Sequence, residues 1–162
     1  MDSPLVIILL RALHILGGVF WVGSIILLAR FVVPASRKTD GGAILGHLFK
    51  DRRLGLALGA AGTINLVTGM LLYSKFYAGQ RWDLASPGPT EAFGLGGVLA
   101  LAALIIGITY GVWMARTLGG EAPGSETADI GVRRAAQVAV LTRVQMVLLI
   151  LATLLMATAR YL

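Results

Sequence analysis

Leu5 to Val33, LVIILLRALHILGGVFWVGSIILLARFVV, is a stretch of about 29 residues whose only ionisable side chains are Arg11, His14 and Arg30. A helix rises about 1.5 Å per residue and needs roughly 20 apolar residues to cross the hydrocarbon core of a bilayer. The stretch therefore predicts a membrane-spanning helix with length to spare, tilted or emerging into water at one end. It stops at Pro34, which has no backbone N–H, and is followed by the polar segment Ser36 to Gly42. A cleaved secretory signal would carry lysine or arginine where Asp2 stands and would break off sooner at a cleavage site, so the helix is expected to be retained.

The same criterion finds three further spans, at about residues 54–73, 93–113 and 135–159. The predicted fold class is all-α: an integral membrane four-helix bundle forming one transmembrane domain over residues 1–162. Composition agrees, with 57% hydrophobic residues, 14% charged residues and a mean hydropathy of +0.82, where soluble chains are about a quarter charged. Four crossings leave only short connections and no separate soluble domain. The absence of cysteine excludes disulfides, thiolate metal centres, iron–sulfur clusters and cysteine nucleophiles. Any metal must be held by nitrogen, oxygen or methionine sulfur.

The net charge of +6 does not predict nucleic acid as a partner, because the basic residues are scattered among loops and form no aromatic-interleaved patch. Topology explains them. Arg37, Lys38, Lys50, Arg52 and Arg53 lie in the first loop and Arg116, Arg133 and Arg134 in the third, against Lys75, Arg81 and Arg160 on the other side. Short loops that retain lysine and arginine stay in the cytoplasm, so the N-terminus and the C-terminus are both expected on the outer side. Tyr73, Phe76, Tyr77 and Trp82 gather at the outer end of the second span, where aromatic rings suit the headgroup layer of the lipid bilayer. Gly55 with Gly59, and Gly107 with Gly111, are small-xxx-small pairs that permit close helix approach. They serve either the bundle itself, a homo-oligomer, or docking into a larger membrane complex.

Polar side chains inside a span cost a few kcal/mol each, so they tend to face the bundle interior and mark function. Here they are Arg11, His14, Asn65, Arg143 and Gln145. His14 lies roughly 14 Å below the outer end of the first helix, with Arg11 one turn above it. Arg11, His14, Gly18, Trp21 and Ile25 recur at spacings of three and four and share one face. A histidine with room beside it at Gly17 and Gly18 suits a flat ligand, and Arg11 is placed to pair with a carboxylate on that ligand. Heme fits this description, since imidazole ligates its iron and arginine neutralises its propionates. The alternative is structural: the histidine hydrogen-bonds a neighbouring helix and the glycines permit close contact. Arg143 enters from the cytoplasmic side by roughly 12 Å, near the depth of Trp21 and Tyr110, which makes these three a candidate inner layer. An arginine two turns inside a helix end also reaches the interface by snorkelling.

Other chemistry finds no footing. Every aspartate and glutamate falls outside the spans, which argues against a carboxylate-driven transporter. No glycine-rich phosphate loop follows a strand, and no Ser-His-Asp set is recognisable. Met70, Met114, Met146 and Met156 lie at different depths without a closely spaced pair and read as gap-filling residues rather than a copper site.

Arg11 to Ala35, RALHILGGVFWVGSIILLARFVVPA, resembles the first helix of a group of small bacterial four-helix membrane proteins. The group includes the copper-resistance protein D family, related uncharacterised families and the HemJ-like membrane-bound protoporphyrinogen oxidases. The matching pattern is a basic residue, Leu-His, then tryptophan and glycine about two turns on: Arg11, His14, Trp21 and Gly23. A weaker likeness runs through TRVQMVLLILATLLMATAR, where Arg143 stands near a position that is basic in the group. The resemblance implies a bacterial cytoplasmic (inner) membrane and heme b bound through His14, its metal ligand. It also shows two departures. Tyr110 falls in a third helix without histidine, so bis-histidine ligation within one chain is excluded, and Gln145 stands where an Asn-Glu pair is expected. Two functions follow as expectations. One is a membrane protein that binds heme b or another redox ligand or metal, with His14 as ligand, Arg11 as its acidic group's partner, and Trp21, Tyr110 and Arg143 around the pocket. The other is a non-catalytic accessory or structural subunit of a larger membrane complex.

Overall fold

A computed structural model of the chain describes residues 3–36, 47–51, 53–83, 86–118 and 127–162. Arg37, Lys38 and Arg52 of the basic first loop, and the connector residues Gly119, Gly120, Pro123 and Gly124, lie outside them. Among the described residues there are four helices long and apolar enough to cross a membrane. They are α1 (Pro4–Ser36), α2 (Leu54–Tyr77), α3 (Pro89–Leu118) and α4 (Thr127–Thr158), the last ending in a 3₁₀ turn, Ala159–Tyr161. Their outward faces are apolar, with Leu9, Leu16, Phe20, Leu56, Ile105 and Leu154 among the exposed side chains. In water such a surface would aggregate, whereas in a bilayer it is matched by lipid tails. The chain is a multi-pass membrane protein.

Two boundaries differ from expectation for physical reasons. Helix α1 does not stop at Pro34 but runs on to Ser36, because Leu28–Val32 widens into a π-helical turn in which the Val33 N–H bonds the Leu28 carbonyl. That register shift comes just where the proline ring would clash with, and fail to bond, the carbonyl four residues back. Helix α3 begins at Pro89, earlier than the apolar run alone indicates. Proline at the first helical position and glutamate at the third are both start signals, and the Glu91 carboxylate accepts hydrogen bonds from the N–H of Gly88 at 2.9 Å and of Asp83 at 2.7 Å. Buried Thr90 donates to Gln80 and ties the same connection down. Helix α2 is left through Gly79, at φ 86°, a left-handed conformation that glycine adopts without strain.

Helices α1 and α2 run antiparallel, each step along one matched by an opposite step along the other. His14 lies on Gly69, Asn65 on Gly18 and Trp21 on Gly62. Helices α3 and α4 repeat the device, with Gln145 on Gly107 and Met156 on Gly96. The α1–α2 contacts recur every three or four residues, the 3.5-residue period of coiled-coil packing. Trp21, Ile25, Leu58, Leu104 and Leu149 form the central core. Helices α1 and α4 close against each other around the π-helical turn, where Val33 is buried with Val138 and Ala139. Of the glycine pairs singled out by spacing, only Gly107 is a tight notch, since a Cβ at Gly59 or Gly111 would meet nothing within 4 Å.

Gln145 donates from Nε2 to the Ala103 carbonyl at 3.0 Å, a buried bond between α4 and α3. Interhelical bonds of this kind average roughly 0.6 kcal/mol and reach about 1.7 kcal/mol. Gln145→Met, which keeps an unbranched chain in the Gly107 notch, is therefore expected to lower stability by about 1 kcal/mol in thermal unfolding in detergent. A loss several times larger would give Gln145 a role beyond this bond.

Candidate functional site

The bundle has an aromatic end, where α1 starts, α4 ends and α2 is followed by α3, and an opposite, basic end, named for the lysines and arginines that the sequence places in the first and third loops. Near the aromatic end the four helices surround a cavity of about 540 Å³. Its volume falls within the roughly 300–1,000 Å³ of ordinary ligand pockets. Helix α1 contributes Arg11 and His14, and α4 contributes Met156. Aromatic rings supply much of the remaining wall. Tyr73 stacks on Tyr77 at 5.6 Å, Tyr77 lies 5.4 Å from Phe93, and the Trp82 indole donates to the Tyr73 hydroxyl at 3.1 Å. Trp82 reaches this position by folding the connection back onto Gly94, where a Cβ would collide with the indole. Rings whose sequence position suits the headgroup layer thus also wall the cavity.

His14 is fixed from one side only. Its Nδ1 is 2.9 Å from the Asn65 carbonyl, and in return the Asn65 side-chain amide donates to the His14 carbonyl. Each side chain bonds the other residue's backbone, and each passes over a glycine four residues along the opposite helix: His14 over Gly69, Asn65 over Gly18. A Cβ at Gly69 would come within 2.7 Å of the imidazole, and one at Gly18 within 2.9 Å of the Asn65 amide. Because a carbonyl only accepts, the bond assigns the proton to Nδ1. The Thr68 hydroxyl, 3.4 Å from Nδ1, donates to the Ile64 and Asn65 carbonyls at 2.7 and 3.0 Å and so does not displace that proton. In the neutral ring Nε2 then carries the lone pair, and among the described residues it has no hydrogen-bond partner. Metal-ligating histidines are commonly arranged this way, with one ring nitrogen donating to a carbonyl and the other presented to the metal.

The sequence-derived site residues divide into three places. Arg11 and His14 share the cavity at the aromatic end, where the exposed Arg11 guanidinium lies 5.2 Å from the centre of the Phe76 ring. Tyr110 borders an open groove of about 600 Å³ with Gln137 and Val140, and with Trp21, Gly59, Gly107 and Gln145 it also borders a narrow cavity of about 30 Å³ nearer the basic end. That space holds about one water and no cofactor. Trp21, 1% exposed, fills the helix interface and does not line the cavity that His14 borders. Arg143 joins neither group: it is exposed on α4 while its neighbours Thr142 and Gln145 are buried. Asn65 stands out in the sequence only as a polar residue within a span, with no role attached, and Gly69, Phe93 and Met156 carry no site signal there. The usable signal was the pair of motifs His14-x-x-x-Gly18 and Asn65-x-x-x-Gly69, each a polar residue with a glycine one turn on.

Among the described residues no three histidine, cysteine, aspartate or glutamate side chains cluster as a metal site. Comparison with protein-family models, with curated proteins and with solved structures finds no match.

Proposed function

We propose that this chain is a heme b-binding membrane protein with a redox role, His14 Nε2 being the iron ligand. It sits in a bacterial cytoplasmic membrane with the aromatic end outward and the basic loops in the cytoplasm. The observation that carries the proposal is the half-committed imidazole: Nδ1 is held by the Asn65 carbonyl, and the ring borders a 540 Å³ cavity walled by aromatic side chains. A bare metal ion would be poorly served by one imidazole with, among the described residues, no carboxylates clustered beside it. A porphyrin brings four nitrogens of its own and asks the protein mainly for an axial ligand, an apolar slot and a cation near its propionates. The cavity's His14, its aromatic walls and Arg11 match those three needs. Bound heme supplies a one-electron couple whose potential is set by axial ligation and burial. The chain's own contribution would be to orient the imidazole through Asn65, wall the slot with Trp82 and Phe93, and offset propionate charge with Arg11.

Titration of the detergent-purified apoprotein with hemin tests the proposal. Saturable binding at one per chain, with a Soret band, is the expected result, and purely linear, non-saturating uptake would sink it. Arg11 is exposed and solvent-screened, so Arg11→Gln is expected to weaken binding a few-fold and at most about tenfold. Arg143→Gln, on the outward face of α4, should leave the affinity within about twofold.

A further inference from the structure

Trp21, Leu104 and Leu149 belong to one core cluster, and Trp21 and Leu104 both abut Gly62, so one residue from each helix forms a layer across the bundle. Moving two turns toward the aromatic end gives the next equivalent layer, because a seven-residue step returns each helix to the same face. Seven residues from Trp21 is His14, from Gly62 Gly69, from Leu104 Gly97, and from Leu149 Met156. All four line the large cavity. The layer is therefore His-Gly-Gly-Met, where the layer below it is Trp-Gly-Leu-Leu. A Cβ at Gly97 would meet nothing within 4 Å, so this glycine leaves space rather than closing a helix contact. Two helices thus carry glycine at the level where the other two carry a histidine and a methionine.

Met156 is half-buried, its Cγ and Cε resting at Gly96, about 3.0 and 3.1 Å from where a Cβ would stand. The other cavity methionine, Met70, is 74% exposed on α2, the helix that already holds the His14 ring, and is poorly placed to face it. Thioether sulfur is an established partner to histidine on heme iron, and it raises the reduction potential relative to imidazole. We infer that Met156 is the second axial ligand, completing a His14–Met156 pair across this layer. The inference rests on the heme proposal and adds the ligand that a chain without a second intramembrane histidine lacks.

The test compares hemin-loaded wild type, Met156→Leu and Met156→His by absorption spectroscopy and redox titration. The wild type is expected to be six-coordinate and low-spin, with the far-red charge-transfer band of thioether-ligated ferric heme. Met156→Leu, a volume-conserving change, should still bind hemin but become high-spin, bind carbon monoxide readily once reduced, and titrate at a lower potential. Met156→His should regain the low-spin spectrum at a potential below the wild type's. A wild-type spectrum without the thioether band, or a Met156→Leu spectrum identical to wild type's, would overturn the ligand assignment while leaving His14 ligation standing. The band is read in the unmutated protein, so the ligand assignment is decided even where a variant misfolds. No hemin binding by the wild type would overturn the heme proposal and this inference together.

Discussion

His14→Ala is expected to abolish saturable hemin binding, a loss on the order of 100-fold or more in affinity, since removing only a group that orients a metal ligand already costs about 10–100-fold. The same substitution deletes the Nδ1 bond to the Asn65 carbonyl, one half of the reciprocal clasp between α1 and α2. That part is worth about 0.6–1.7 kcal/mol by the usual strength of intramembrane bonds. Two companion variants separate the effects. His14→Gln retains a donor within reach of the carbonyl but is a far poorer iron ligand, so it should lose hemin with less loss of stability. Gly97→Phe leaves the clasp untouched and projects a ring into space where a Cβ meets nothing within 4 Å. It should block binding while melting near the wild-type temperature. If Gly97→Phe binds hemin as the wild type does, the cavity is not where the ligand resides.

The second large effect concerns folding. A Cβ at Gly62 would stand 2.8 Å from both the Trp21 ring and a Leu104 methyl. The methyl is the end of a flexible chain and can rotate aside, but the indole is a rigid ring that is 1% exposed and pinned among core residues. Overpacking of this kind costs roughly 1–3 kcal/mol, so Gly62→Ala should destabilise the bundle by about that amount. Gly59→Ala, one turn away with nothing within 4 Å, removes a glycine from a helix interior and should be neutral or stabilising by up to about 1 kcal/mol. Thermal unfolding of the two variants side by side measures the difference. Equal melting temperatures would mean that Trp21 does not seat on Gly62.

The four spans were legible because length and apolarity alone decide whether a segment can cross a bilayer. The face Arg11, His14, Gly18, Trp21 and Ile25 was legible too, since 3.6-residue periodicity fixes which residues of one helix lie together. What that face meets was not. The partners His14 and Asn65 are 51 residues apart, and their pairing depends on the register of two helices that are apolar nearly all round. The same ambiguity hides the direction of Arg143. Adjacent helix positions differ by about 100°, so buried Thr142 and exposed Arg143 cannot be told apart when lipid and core are equally apolar. Trp82 was invisible as a cavity wall for another reason: its position depends on a connection folded back by Glu91, Thr90 and the Gly94 notch. The methionines read as scattered along the sequence, and only the heptad layer brings Met156 to the level of His14.

The most direct measurement is the dithionite-reduced minus oxidised spectrum of protein purified from cells supplied with ample heme, recorded beside His14→Ala. A Soret band that shifts on reduction in the wild type and is missing from the folded variant is the predicted result. A featureless wild-type spectrum, or a band that persists unchanged without His14, would contradict it and point instead to a structural subunit in which the His14–Asn65 clasp serves only to join two helices.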